Sequence, residues 1–264
     1  MSAPPPYFGG TADRLKECWQ YTRVRCDEFM AHWITSLVLN LGAPLVYILS
    51  LGFGLGRQIP TPIDGLQYPV YVSTGAMVGT VVTLAGGFAL WPVTLGFEGN
   101  QHFIAASHAP LSPWQISLGE TLAVGVRILA QACFFAGLGA AFGLWSPIGA
   151  ATQLPMTVLA GLALYTPLQA LTARFPHAER HYSAIYRGFA AIFLLGGAFA
   201  PISLLPTSVQ WFAWFSPVWH ALLVNRALLG SPAPGLALHV VLLLIVTSVG
   251  SIGGCLGFRW RLAR

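Results

Sequence analysis

The sequence predicts an all-α integral membrane protein with six transmembrane helices. It also predicts an N-terminal amphipathic helix at the membrane interface, a short cytoplasmic helix between spans two and three, and an outer re-entrant segment before span six. Three observations carry this. Of 264 residues, 55% are hydrophobic and only 8% are charged, and the mean hydropathy is +0.67. A soluble domain carries roughly 25% charged residues, so this chain cannot cover its surface against water. Six apolar stretches approach the roughly 20 residues needed to cross a bilayer core of about 30 Å. The basic residues collect on alternate connecting segments.

Residues 1–32 form the tail and interfacial helix, and residues 33–264 form one six-span domain without an internal repeat. The opening MSAPPPYFGG has no basic start leading into an apolar run. It is expected to be poorly ordered, and no cleaved signal peptide is expected. The first span then serves as the insertion signal. Thr11 is placed to cap the helix beginning there. On that helix Leu15, Cys18, Trp19, Thr22, Cys26, Phe29 and Met30 recur at helical spacing. Arg14, Lys16, Glu17, Arg23, Arg25, Asp27 and Glu28 fall mostly elsewhere on the wheel. Such a helix lies in the interface with Leu15, Trp19 and Phe29 on its apolar face. A soluble helix packed on a partner is the alternative, but a span succeeds it here without a linker.

The spans are expected at 33–56 (kinked at Pro44), 68–96, 114–144, 152–172, 188–205 and 236–258. Between the second and third lies EGNQHFIAASHAPLSP, residues 98–113. A helix is expected from Gly99-Asn100 to Ser107, with Glu98 at its entry. Pro110 and Pro113 then turn the chain into span three, and Pro113 suits a first helical position. Residues 206–235 are amphiphilic and broken by Pro217, Pro232 and Pro234.

Orientation comes from the basic residues, which are retained on the cytoplasmic side. With the N-terminus inside, the inner segments hold Arg14, Lys16, Arg23, Arg25, Arg174, Arg180, Arg187, Arg259, Arg261 and Arg264. The outer segments hold only Arg57 and Arg226. Both termini and the 98–113 loop are therefore expected in the cytoplasm; the excess of Arg over Lys points to a bacterial source, and so to a bacterial inner membrane. The pI near 9.3 has this origin. No nucleic-acid partner is expected, since no basic patch interleaves with aromatics.

The chemistry is constrained mainly by absences. The single lysine, Lys16, precedes Glu17. A phosphate-binding GxxxxGK[ST] loop is therefore absent, and no ATPase site lies in this chain. Cys18, Cys26, Cys133 and Cys255 have no CxxC spacing, so free thiols are expected. His177 and His181 could share a helix face, but they do not form HExxH, and no metal site is assigned. Glu120, Arg127 and Gln131 sit at offsets of seven and eleven, which puts them on one face of span three. That polar stripe either faces a substrate path or dimer seam, or holds Arg127 to a neighbouring helix with Glu120 near the inner headgroups. Trp211, Phe212, Trp214, Phe215 and Trp219 suit an interfacial aromatic belt or an outer gate. The pairs Gly86-Gly87, Gly196-Gly197 and Gly253-Gly254 suit close helix packing.

Three stretches in order resemble the permease subunit of type-2 ATP-binding-cassette exporters, a family of drug, lipo-oligosaccharide and polysaccharide exporters. They are APLVYILSLGFGLG after the amphipathic helix, SHAPLSPWQISLGE after span two, and LLPTSVQWFAWFSPVWHALLVNRALLG before span six. One departure is that Glu98 is succeeded by Gly99 and not by the arginine frequent in that family. The resemblance implies an ATP-binding-cassette ATPase subunit as partner, ATP and Mg bound there, and a second permease subunit, identical or related. It implies docking of the ATPase on Ile104, Ala105, His108, Pro110 and Leu111. It also implies an outer segment marked by Trp211, Trp214, Pro217 and Arg226. The substrate would be an amphiphile: a drug, a lipid or a lipid-linked glycan. An ATP-independent carrier or a lipid-modifying membrane enzyme is the alternative. A carrier would show repeats around a midplane site, and an enzyme would show clustered catalytic side chains.

Overall fold

A computed structural model describes residues 10–31, 33–35, 42, 45, 46, 48–175, 184, 185, 188 and 196–263. Among these, four helices are long and apolar enough to cross a membrane. They are α2 (Tyr68–Glu98), α4 (Pro113–Ala141), α5 (Pro147–Arg174) and α8 (Leu236–Leu262). They match the second, third, fourth and sixth expected spans. Residues 36–41, 43, 44 and 47 of the first expected span, among them the Pro44 kink, residues 189–195 of the fifth, and the His177–His181 segment lie outside the described residues. The shorter helices are α1 (Thr11–Met30), α3 (His102–Ser107), α6 (Thr207–Ala213) and α7 (Pro217–Leu228).

Local chemistry sets the ends. Pro69, Pro113, Pro147 and Pro217 stand in the first turn of their helices, where a missing N–H costs nothing. Ser146 Oγ accepts from Gly149 N at 3.0 Å, so α5 starts at Pro147, five residues before the expected Thr152. Gly10, not Thr11, precedes α1, because the Asp13 carboxylate reaches back to the Gly10 amide at 3.2 Å.

The core is shared by α2, α4, α5, α7 and α8. One cluster joins Val78, Val82, Ala160, Leu164, Val218, Leu222 and Leu243. A second joins Val81, Ala85, Val124, Ile128 and Tyr165. The α5–α8 seam is the closest, and Gly254 belongs to it: a Cβ there would stand 2.9 Å from Gln169 Oε1. The other glycine pairs behave differently. Gly87 faces open space, and Gly197 has φ +83° and forms a turn.

The helix α7 is no surface loop. Its Val218 and Leu222 join a cluster with Val78 and Val82, which lie about three to four turns into α2. Arg226 is buried and points inward. Its guanidinium donates to the carbonyls of Gly197 (2.8 Å), Ala198 (3.0 Å) and Tyr71 (3.2 Å) and stacks over the Tyr71 ring. Asn225 donates to Thr157 Oγ1 on α5 at 2.9 Å. These contacts seat α7 in the bundle.

Candidate functional site

One end of the bundle gathers the last turns of α2, α5 and α8, the first turn of α4, the N-terminal half of α1 and all of α3. Its centre is aromatic. Phe97, Phe103 and Phe258 meet with ring centroids 4.8 to 4.9 Å apart. Val93, Ile116 and Ala173 close the cluster, with Tyr21, Leu111 and Leu262 packed around it. Phe103 is 0% exposed, and it anchors α3 to three long helices. Gly96 makes room for it, since a Cβ there would come within 2.3 Å of the Phe103 ring.

The helix α3 starts later than expected. Gln101 adopts φ +54°, ψ +26°, so Gly99, Asn100 and Gln101 form the turn and His102 opens the helix. Glu98 is not a helix-entry residue; it is the last residue of α2 and pairs with Arg261 on α8. The expectation failed because that partner lies 163 residues away in sequence. Arg261 also donates to the Thr172 carbonyl at 3.0 Å and lies 4.4 Å from the Phe97 ring centroid.

The residues expected to dock a partner fall in two groups. Ile104, Ala105, His108 and Pro110 are exposed together on the outer side of α3 and the turn after it, whereas Leu111 is half-buried against the aromatic cluster. The turn is fixed from behind. Gln115 Oε1 accepts from the Ser112 amide (2.7 Å) and hydroxyl (2.6 Å), and its Nε2 donates to Arg14 O (2.8 Å) and Glu17 (3.0 Å). Ser-x-x-Gln ahead of an apolar run is a capping box, legible in the sequence.

The N-terminal helix α1 runs beside α4 in the same direction. Cys18 reaches the Gln115 carbonyl, Thr22 the Gly119 carbonyl, and Arg25 the Glu120 carboxylate. Gly119 permits the approach, since a Cβ there would meet Tyr21 at 2.6 Å. From Gln115 to Arg127 the contact covers about 18 Å of α4 at 1.5 Å per residue. The apolar stripe read as one lipid-facing surface is therefore divided. Cys18, Thr22 and part of Phe29 turn to the bundle, while Leu15, Trp19 and Met30 are exposed.

Glu120, Arg127 and Gln131 do share one buried face of α4. Glu120 is 1% exposed and takes Arg25 through both oxygens, at 2.7 and 3.2 Å. Arg25 also holds the Glu28 carboxylate. Arg127 donates to the Arg25 carbonyl at 2.8 Å, with Phe29 and Phe88 rings 5.5 and 4.9 Å from its guanidinium. Within the chain, Glu120 and Arg127 on this stripe thus meet α1 as the neighbouring helix. Burial and the Glu120 carboxylate push the Tyr21 phenol up, and burial pushes the Cys18 thiol up. All four cysteines are free thiols. His102 donates through Nδ1 to Asn100 Oδ1 at 2.9 Å. Burial first, then the Arg25 charge, pull its pKa below the ordinary value.

The opposite end carries the remaining expected residues. Trp211 is 69% exposed, Trp214 is exposed, Pro217 is half-buried and Arg226 is buried. Sequence reasoning missed a link there: His220 Nδ1 lies 2.7 Å from His239 Nδ1, and His220 Nε2 lies 2.9 Å from the Trp214 carbonyl. A carbonyl only accepts, so His220 carries its proton on Nε2 and its Nδ1 accepts from His239. This ties α7 to α8 beneath Trp214 and Trp219. Among the described residues no group of three or more His, Cys, Asp or Glu could hold a metal ion.

Comparison with known proteins places this arrangement. The family described as ABC-2 type transporter matches residues 17–229. Nodulation protein J of Rhizobium leguminosarum bv. viciae is 25% identical over 234 residues, 88% of this chain and 89% of the relative. Its namesake in Rhizobium meliloti (strain 1021) is 26% identical over 84% of this chain and 86% of the relative. That of Sinorhizobium fredii (strain NBRC 101917 / NGR234) is 28% identical over 86% and 88%.

Proposed function

Because the chain belongs to the ABC-2 type transporter family, and is thus a multi-pass membrane subunit of a transporter, we propose that it exports an amphiphilic substrate using ATP hydrolysed by a separate subunit. The family implies an ATP-binding-cassette ATPase as partner. The chain has no GxxxxGK[ST] segment, so ATP and Mg belong to that subunit. Two permease subunits, identical or related, sit with two ATPase subunits. The α3 end faces the cytoplasm with both termini, as the arginines gathered there favour.

The observation that carries this reading is the build of the α3 platform. Ile104, Ala105, His108 and Pro110 offer a small, mostly apolar surface, and the element behind them is held on every side. Phe103 sits among Phe97 and Phe258, Gln115 ties the turn to α1, and Glu98 pairs with Arg261. A push on the exposed face reaches α1, α2, α4, α5 and α8 together. An ATPase that binds this face differently in its open and closed states would shift the bundle between two arrangements. Substrate specificity would reside in the spans and not in the platform.

The test reconstitutes the chain with an ATP-binding-cassette ATPase encoded beside it and measures association and ATP-dependent transport. Ala105→Glu with Pro110→Glu places two charges on exposed positions, where folding is spared. Loss of association and transport supports the reading. Retention of both would overturn it.

A further inference from the structure

We propose that Arg261, on the last turn of α8, is the residue that couples the α3 platform to α5 and α8. This rests on the function proposed above and adds to it a specific force-bearing contact. The guanidinium is shared among three elements. It pairs with Glu98 at the end of α2, donates to the Thr172 carbonyl near the end of α5, and lies over Phe97. Its side chain is 10% exposed and Glu98 is 28% exposed, so water screens the pair only partly.

The position matters because the chain turns immediately after Glu98. Gly99, Asn100 and the left-handed Gln101 separate the end of α2 from α3. The turn is short: the amides of Gly99 and Gln101 reach back to the Leu95 carbonyl at 2.9 and 3.4 Å, so the end of α2 and the start of α3 are linked through a single carbonyl. Phe103 fixes α3 to the aromatic cluster, a packing contact whose directionality is weaker than that of a charged hydrogen bond. The Arg261 fork is directional, since Glu98 and the Thr172 carbonyl set two of its donor axes at once. It makes the last turn of α2, the last turn of α5 and the C-terminal turns of α8 move as one body when α3 is pushed. A lysine could hold one of these acceptors but not the planar fork.

Arg261 lies apart from the exposed docking face, so its loss spares association. Three readouts separate coupling from simple stability. In Arg261→Gln the ATPase subunit still copurifies to within about twofold, while substrate moved per ATP hydrolysed falls about tenfold, within the range by which single residues modulate coupling. Arg261→Lys is intermediate. Glu98→Arg combined with Arg261→Glu restores the pair and recovers part of the ratio. Hydrogen exchange in the chain alone, which needs no partner, rises about tenfold across 99–107 in Arg261→Gln. An unchanged transport-to-hydrolysis ratio, or unchanged exchange across 99–107, would overturn the proposal. Failure of the wild-type chain to bind any ATPase would instead overturn the function on which it rests. The exchange result would still report whether Arg261 holds the platform.

Discussion

Arg25→Ala tests how α1 is held, and its effect can be worked from the geometry. Glu120 is 1% exposed, and Arg25 supplies both of its hydrogen bonds. Removing the guanidinium leaves a buried carboxylate without a partner. Breaking a buried pair from one side costs about 3 to 5 kcal/mol, which is roughly two to four decades in an opening equilibrium at 1.36 kcal/mol per decade. Glu120→Gln is the milder cut. Arg25 keeps Glu28, and a buried group that loses one hydrogen bond costs about 1 to 3 kcal/mol. The two variants therefore rank in a fixed order. Hydrogen exchange across residues 18–30 in lipid nanodiscs reads it directly: at the midpoints of these ranges Arg25→Ala exchanges about thirtyfold faster than Glu120→Gln, and both faster than wild type. Replacing both residues with Met and Leu removes the charges together and restores much of the protection. The reverse order, or wild-type protection in Arg25→Ala, would refute the claim that this pair seats α1 on α4.

The same contacts set other outcomes. Phe103→Ala empties the centre of the aromatic cluster and destabilises the platform by about 3 to 5 kcal/mol, measured as a lowered melting temperature and faster exchange across 102–107. Gly96→Ala drives a methyl to 2.3 Å from the Phe103 ring and costs about 1 to 3 kcal/mol by overpacking, read in the same assay. His102 is held neutral by burial and by the nearby Arg25 charge. Its contribution is complete above the ordinary histidine pKa of about 6.5 and is lost as pH falls through the lowered value. Protection across 99–107, measured relative to the intrinsic exchange rate at each pH, should therefore fall between pH 7.5 and pH 5, and His102→Gln should flatten that dependence. Arg226→Ala leaves the Gly197, Ala198 and Tyr71 carbonyls short of a donor, at about 1 to 3 kcal/mol for each one left buried. Its signature is faster exchange across 196–204 with α3 unaffected.

The membrane class and four of the spans were legible because they rest on runs of apolar residues, which local sequence records. The shared face of Glu120, Arg127 and Gln131 was legible for the same reason, as a spacing within one helix; the Ser112–Gln115 box is a spacing of the same kind that the sequence reading passed over. The partners of those residues were not. Arg25 and Glu120 stand 95 residues apart, and Glu98 and Arg261 stand 163 apart. No periodicity carries such pairings. The stripe on α1 misled for a related reason. Cys18, Thr22 and Phe29 are apolar enough to suit lipid or a helix, and only the Gly119 notch decides which. Phe103 shows the remaining gap: within HFIAAS any of several residues could be the anchor, and the cavity left by Gly96 selects one.

The central claim is that α3 is the surface on which an ATPase subunit acts. The most direct measurement is site-specific photocrosslinking in native membranes, from position 108 on the platform and from position 148 at the opposite end, where Ile148 is 77% exposed. A probe at 108 is expected to capture a polypeptide carrying GxxxxGK[ST], and a probe at 148 is not. Capture of that polypeptide from 148 but not from 108 would contradict the claim.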